Sequence, residues 1–155
     1  MGKLDLKILV VCLLIVFLTA GIGSLFTSGN VESQWYLENK PSFTPPNWIF
    51  GPVWTILYVL IAVSLYFTWK KANKNQKKKV RVLFGINLIA NSIWSLLFFK
   101  LQNPFLALLD IILILTTIIM MILTTKKIDK RSAQLLVPYL IWVCFATFLN
   151  LSFII

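Results

Sequence analysis

Five stretches of this chain are continuously apolar, each about as long as a helix must be to cross the hydrocarbon core of a bilayer. They lie at 8–26, 48–69, 80–99, 105–125 and 134–155. A backbone in lipid must satisfy its own N–H and C=O groups, which leaves helices or a closed barrel. Barrel strands alternate in hydrophobicity over about ten residues. These runs do not alternate and are about twice that length. The expected fold is therefore all-α: one transmembrane domain over 1–155, a bundle of five membrane-spanning helices. Charged residues make up 13% of the chain, about half the share in a soluble domain, and they sit between the apolar runs. The first run follows Lys3 and Lys7, as a secretory signal would. Its apolar stretch exceeds the roughly 7–15 residues of a signal core, and no A-x-A-like site follows it, so it is read as a retained helix.

The basic residues are divided unequally between the connections. Lys3 and Lys7 precede the first span; Lys70, Lys71, Lys74, Lys77, Lys78, Lys79 and Arg81 lie around the second loop; Lys126, Lys127, Lys130 and Arg131 form the fourth. With five spans all of these share one side, and the other side keeps Lys40 and Lys100. The positive-inside rule then predicts a cytoplasmic N-terminus and an external C-terminus. The net charge of +10 fits anionic lipid headgroups as a partner. Nucleic acid is not expected, because no basic stripe exists away from the membrane flanks.

The residues bound the chemistry as well. There is no His, which excludes a His-ligated metal and a His-centred triad. Cys12 and Cys144 fall inside apolar runs, where a thiol behaves as a small hydrophobe. No metal site and no required cofactor are expected.

The one long connection, 27–47, carries Trp35, Tyr36, Lys40, Pro41, Phe43, Pro45 and Pro46. The prolines predict a stiff, extended segment over 40–47. Thr44 is placed to cap a helix with Pro45 and Pro46 in its first turn. Pro52 is placed to disturb that helix near Gly51. Two readings stay open for this loop: an interfacial linker with an aromatic belt, or a lid over a pocket between the helices.

Polar groups inside the spans are costly unless paired, and so should face the bundle interior. The third span sets Asn87, Asn91 and Ser95 along one stripe, with Trp94 and Phe98 beside it; the fifth carries Pro138, Trp142, Ala146 and Asn150 at spacings of four. Trp54 and Tyr58 share a face of the second span. Asp110 is expected to make a structural hydrogen bond to a neighbouring helix, and Asn87 and Asn150 to act as interhelical glue. Gly21, Gly23 and Ser24 are expected to be close-packing positions. Trp54 and Trp142 lie well inside their spans, and a buried indole N–H wants a partner. Such a cluster describes either aromatic core packing or a pocket for a flat apolar ligand with polar edges.

The segments Trp35-Tyr36, Lys40-Pro41-Ser42-Phe43-Thr44-Pro45-Pro46-Asn47-Trp48, Gly51-Pro52-Val53-Trp54 and Leu57-Tyr58 together resemble the signature of the TspO/translocator protein family, the tryptophan-rich sensory proteins. Asn91, Trp94, Phe98-Phe99, Ala107-Leu108-Leu109-Asp110, Pro138-Tyr139-Leu140, Trp142, Phe145-Ala146-Thr147 and Leu149-Asn150 continue the match in order. The resemblance implies a five-helix bundle, commonly a homodimer, that binds porphyrins, sterol-like lipids and aromatic ligands between helices under the first loop. It implies a pocket lined by Trp54, Tyr58, Asn91, Trp94, Ser95, Trp142 and Ala146, with Pro41 and Phe98 as further contacts. The family often has His near the Pro-Pro pair, where this chain has Thr44 and Asn47. A tetrapyrrole would then be held by stacking, with Lys40 available to a propionate. Leu151 to Ile155 contain neither the Tyr nor the Arg of the animal cholesterol motif, which fits a bacterial cell membrane and argues against sterol capture through that motif.

The resemblance leads to a membrane binding or sensory protein with porphyrin as ligand rather than cofactor. Two alternatives differ in class. One is light-dependent porphyrin degradation with Trp54 and Trp142 as redox partners, since no conventional catalytic constellation exists. The other is a tetrapyrrole or lipid transporter, which the absence of an inverted repeat disfavours.

Overall fold

The computed structural model describes residues 5–155. Six α-helices follow in order: α1 (Leu6–Thr27), α2 (Gln34–Asn39), α3 (Asn47–Lys71), α4 (Lys74–Ser95), α5 (Pro104–Lys126) and α6 (Lys130–Leu151). A π-helical turn, Leu96–Lys100, continues α4. Among the described residues five helices are long and apolar enough to cross a membrane: α1, α3, α4 with its π turn, α5 and α6. They correspond to the five apolar runs. Lys3, counted above with the basic N-terminus, lies outside the described residues.

The helix ends are set by caps that hydropathy does not register. Asn73 and Gln76 form a reciprocal capping box, satisfying two donors left over at a helix start. The helix α4 therefore begins at Lys74, six residues before the apolar run. Asp129 caps α6 by accepting from the Arg131 N–H at 3.0 Å, so α6 starts at Lys130 and ends at Leu151 rather than running over 134–155. Asn103 caps α5, with Pro104 in its first turn, where a missing N–H costs nothing.

The first loop departs from its expected form. Residues 34–39 are helical, capped by Ser33. The segment after them is not uniformly extended, because the Thr44 N–H donates to the Pro41 carbonyl at 3.0 Å and closes a turn. Thr44 does not cap α3. Pro46 occupies the cap position with no side-chain bond, and α3 runs on through Pro52.

The helix α5 packs on both α4 and α6, α3 packs on α6, and α1 leans on α3 and α4. Val16, Ile61, Ile118, Met121, Leu136 and Tyr139 are fully buried between them. Large apolar side chains such as Leu18, Leu25 and Ile141 are more than 60% exposed. In a soluble protein that would be an aggregation surface; on a spanning helix it is the face toward lipid.

The basic end is clasped around Asp129. Lys71 Nζ lies 2.8 Å from its Oδ2 and Arg131 Nε 3.6 Å from its Oδ1. Burial works to raise this carboxyl. The Lys71 and Arg131 partners outweigh burial and hold it below the ordinary carboxylate range. Nearby, Ser64 Oγ donates to the Ser132 carbonyl at 2.9 Å, and the Asp5 N–H donates to Tyr66 Oη at 3.0 Å. These contacts fix the packing at one end of the bundle, and the opening lies toward the other.

Candidate functional site

Toward the first loop the bundle encloses a cavity of about 520 Å³, within the range of small-molecule sites. Its walls come from α1, α3, α4 and α6, and α2 with the loop forms its roof. The floor and far wall hold Trp54 and Tyr58 from α3 and Asn91, Trp94 and Ser95 from α4. Phe98 enters from the π turn, and Trp142 and Ala146 from α6. These eight residues, singled out in the sequence, line one space.

The aromatic wall is ordered by ring contacts. Trp54 stacks on Tyr58 with centroids 5.4 Å apart and meets Tyr139 edge-on at 6.2 Å. Trp94 stacks on Phe98 at 4.8 Å, and Phe50 meets Trp142 edge-on at 5.8 Å. The π turn lets two consecutive residues, Phe98 and Phe99, both reach the cavity. Such turns recur at functional sites, and nothing in the sequence LLFFK marks one.

The polar groups fall into two sets. Asn91, Asn87 and Asn150 are buried and bonded across helices. Trp94 Nε1 donates to Asn150 Oδ1 at 3.0 Å, and Asn150 Nδ2 donates to the Pro104 carbonyl at 2.8 Å. By contrast Trp142 Nε1, Thr44 Oγ1 and Asn47 Oδ1 are buried without a partner, and all three residues line the cavity. An unmade buried hydrogen bond costs about 1–3 kcal/mol. Three such atoms belong to residues around one space. Thr44 and Asn47 were not read as site residues from the sequence; they stand beside the Pro-Pro pair that drew attention to the loop.

Several expectations are corrected. Pro41 does not line the cavity; it starts the turn that places Thr44 there. Asp110 is half-buried on α5, a helix that contributes nothing to the cavity wall, and its Oδ2 has no hydrogen-bond partner. The expected bond to a neighbouring helix is not made. Asn87 and Asn150 do join helices as expected, Asn87 through Thr117, the Ile114 carbonyl and Tyr139 and Asn150 through Trp94 and the Pro104 carbonyl, and Asn150 lines the cavity as well. Gly23 is a close-packing position, where a Cβ would meet Ser95 Oγ at 3.5 Å. Gly21 is not, since nothing lies within 4 Å of its Cβ position and the residue faces the cavity.

The roof is held by aromatic contacts. Tyr36 stacks on Phe153 at 5.8 Å, Phe43 stacks on Phe148 at 5.2 Å, and Lys40 Nζ lies 5.9 Å above the Tyr36 ring. Burial raises the Tyr36 phenol above its ordinary value, so it stays protonated. Among the described residues no group of three or more His, Cys, Asp or Glu side chains is placed to hold a metal ion.

Comparison with known proteins agrees with this architecture. The family model for the TspO/MBR family matches residues 10–155. The tryptophan-rich protein TspO of Archaeoglobus fulgidus is 42% identical over 144 residues, covering 93% of each chain. The protein of the same name from Chlorobaculum tepidum is 38% identical over 150 residues, covering 93% of this chain and 92% of its own. The human translocator protein is 34% identical over 133 residues, covering 83% of this chain and 78% of its own. The chain is an integral, multi-pass membrane protein and belongs to the TspO/MBR family.

Proposed function

We propose that this protein binds porphyrins, with protoporphyrin as the simplest case, in the cavity under the first loop and so acts as a membrane sensor of tetrapyrroles. The observation that carries the reading is the pairing of Trp54 and Trp142 in one aromatic-walled space, with the Trp142 N–H lacking a protein partner. A flat macrocycle offers π faces to the indoles and carboxylates to the roof, where Thr44 has an unpaired hydroxyl and Lys40 stands nearby over Tyr36. Such a ligand reaches the site from the bilayer, in which it already partitions. In this reading the basic end of the bundle faces the cytoplasm, against anionic headgroups, and the cavity opens toward the external leaflet.

The test is a titration of detergent-purified protein with protoporphyrin in the dark, followed by tryptophan fluorescence. Saturable quenching at micromolar ligand, weakened at least tenfold in the Trp54→Phe/Trp142→Phe double variant, is the expected result. Linear quenching of equal slope in both proteins would mean partition into micelles and would refute the reading.

A further inference from the structure

Beneath the cavity runs a chain of side-chain hydrogen bonds with a single direction. Tyr58 Oη donates to Asn91 Oδ1 at 2.7 Å, and Asn91 Nδ2 donates to Tyr139 Oη at 3.1 Å. Tyr139 Oη donates to Asn87 Oδ1 at 3.0 Å, and Asn87 Nδ2 donates to Thr117 Oγ1 at 2.9 Å and to the Ile114 carbonyl at 3.3 Å. The chain thus joins α3, α4, α6 and α5.

Its direction is forced from the far end. An Asn amide shows which end is oxygen through its partners, not its shape. A backbone carbonyl can only accept, so the Asn87 atom beside Ile114 must be nitrogen. The Thr117 hydroxyl cannot reverse this, because it is within bonding distance of the Leu113 and Ile114 carbonyls, at 2.9 and 2.8 Å. Asn87 Oδ1 therefore faces Tyr139, whose hydroxyl must donate to it. The oxygen of Tyr139 is then left to accept, which turns the nitrogen of Asn91 toward it. Asn91 Oδ1 in turn faces Tyr58, whose hydroxyl proton is committed downward. What remains of Tyr58 toward the cavity that its side chain lines is an oxygen lone pair.

We infer that Tyr58 sets ligand specificity: the buried chain anchored on the Ile114 carbonyl makes its phenol oxygen an obligatory acceptor, so the cavity selects flat apolar ligands carrying an N–H or O–H on the edge that meets it. This rests on the reading of the cavity as a ligand site and adds the polarity of one of its walls. Asn87 is a positioning residue, acting through Tyr139 and Asn91 without touching the ligand.

Carbazole and dibenzofuran test it. Both are planar tricycles of nearly equal size, and one has an N–H where the other has an ether oxygen. Affinities are measured by calorimetry in detergent and corrected for partition into protein-free micelles. Wild type should bind carbazole about tenfold more tightly, the scale of one buried hydrogen bond. Tyr58→Phe should keep dibenzofuran binding and lose the preference. Asn87→Leu frees the Asn91 amide to turn, so the preference should collapse toward unity while both ligands still bind. Thr117→Val leaves the Ile114 anchor in place and should keep the preference. Equal binding of both ligands by wild type overturns the inference, as does a preference that survives Tyr58→Phe. If protoporphyrin binds saturably in those experiments, the cavity reading stands without it. If neither tricycle nor protoporphyrin binds, both fall.

Discussion

Trp35 on α2 and Phe153 beyond the end of α6 face each other with ring centroids 5.5 Å apart, joining the roof of the cavity to the last residues of the chain. Phe153 also meets Tyr36 at 5.8 Å and Phe98 at 4.9 Å. One half-buried side chain therefore ties the short helix α2 to two other elements. A helix of six residues has no stability of its own, so its position depends on these contacts. Phe153→Ala should loosen the roof by about 2 kcal/mol, less than a fully buried Phe would lose. Amide exchange over 34–40 should speed up roughly tenfold or more, with the spanning helices unaffected. Unchanged exchange over 34–40 would show that the roof is held by something else.

Gly21 and Gly23 should respond to substitution in opposite ways. Both glycines line the cavity, but a Cβ at Gly21 meets no atom within 4 Å, whereas one at Gly23 meets Ser95 and Ser92 of α4 at 3.5 and 3.7 Å. Gly21→Phe should fill part of the cavity and lower protoporphyrin affinity at least tenfold, with a melting midpoint within a few degrees of wild type. Gly23→Leu should force α1 off α4 and destabilise by about 1–3 kcal/mol, the scale of overpacking. Equal midpoints for the two variants would contradict the contrast.

That contrast marks a limit of what the sequence makes legible. Residues two apart on a helix point about 200° away from each other, so Gly21 and Gly23 cannot serve one packing face, yet small residues read alike in composition. The five spans were legible because lipid imposes length and apolarity on every one of them. Trp54, Tyr58, Asn91, Trp94 and Trp142 were legible because polar edges inside apolar runs must turn inward. The α2 helix was not, because six residues carry too little periodicity. The π turn was not, because its residues would suit an ordinary α-helix equally well. Asp110 misled for a related reason: cost predicts a partner, and here the carboxylate oxygen Oδ2 has none. Pro41 misled because a residue that shapes a loop need not be the one that touches the space beneath it.

Asp129 should make the folded state sensitive to acid. Its folded-state pKa lies below the ordinary value because Lys71 and Arg131 outweigh burial. A depressed carboxylate pKa stabilises the fold above the unfolded value, about 3.9. That stability is lost as pH falls through the folded value. Wild type should therefore lose more of its melting midpoint between pH 7 and pH 3 than Asp129→Asn, which keeps the helix cap but not the ion pair. Asp129→Ala should lose a further ~1 kcal/mol, the usual loss for a missing cap. Parallel acid profiles for wild type and Asp129→Asn would remove the ion pair from the account.

Asn150 bridges three spanning helices by accepting from Trp94 Nε1 and donating to the Pro104 carbonyl. Interhelical bonds in membranes average only about 0.6 kcal/mol, because an unfolded helix in lipid finds other partners. Here one side chain supplies both bonds, it is 1% exposed, and its removal strands the Trp94 indole N–H, while the Pro104 carbonyl keeps its place in the hydrogen-bond ladder of α5. The stranded indole should dominate, and Asn150→Leu should cost about 2 kcal/mol. Trp94→Phe keeps a ring against Phe98 and deletes only the donor. In that background Asn150→Leu strands no indole N–H, so it should cost about 1 kcal/mol less than in wild type. Melting midpoints of the four proteins give this coupling directly. If the two substitutions simply add, the Trp94–Asn150 bond contributes nothing to stability, and the position of Trp94 in the cavity wall is set by its ring contacts with Phe98 and Phe99.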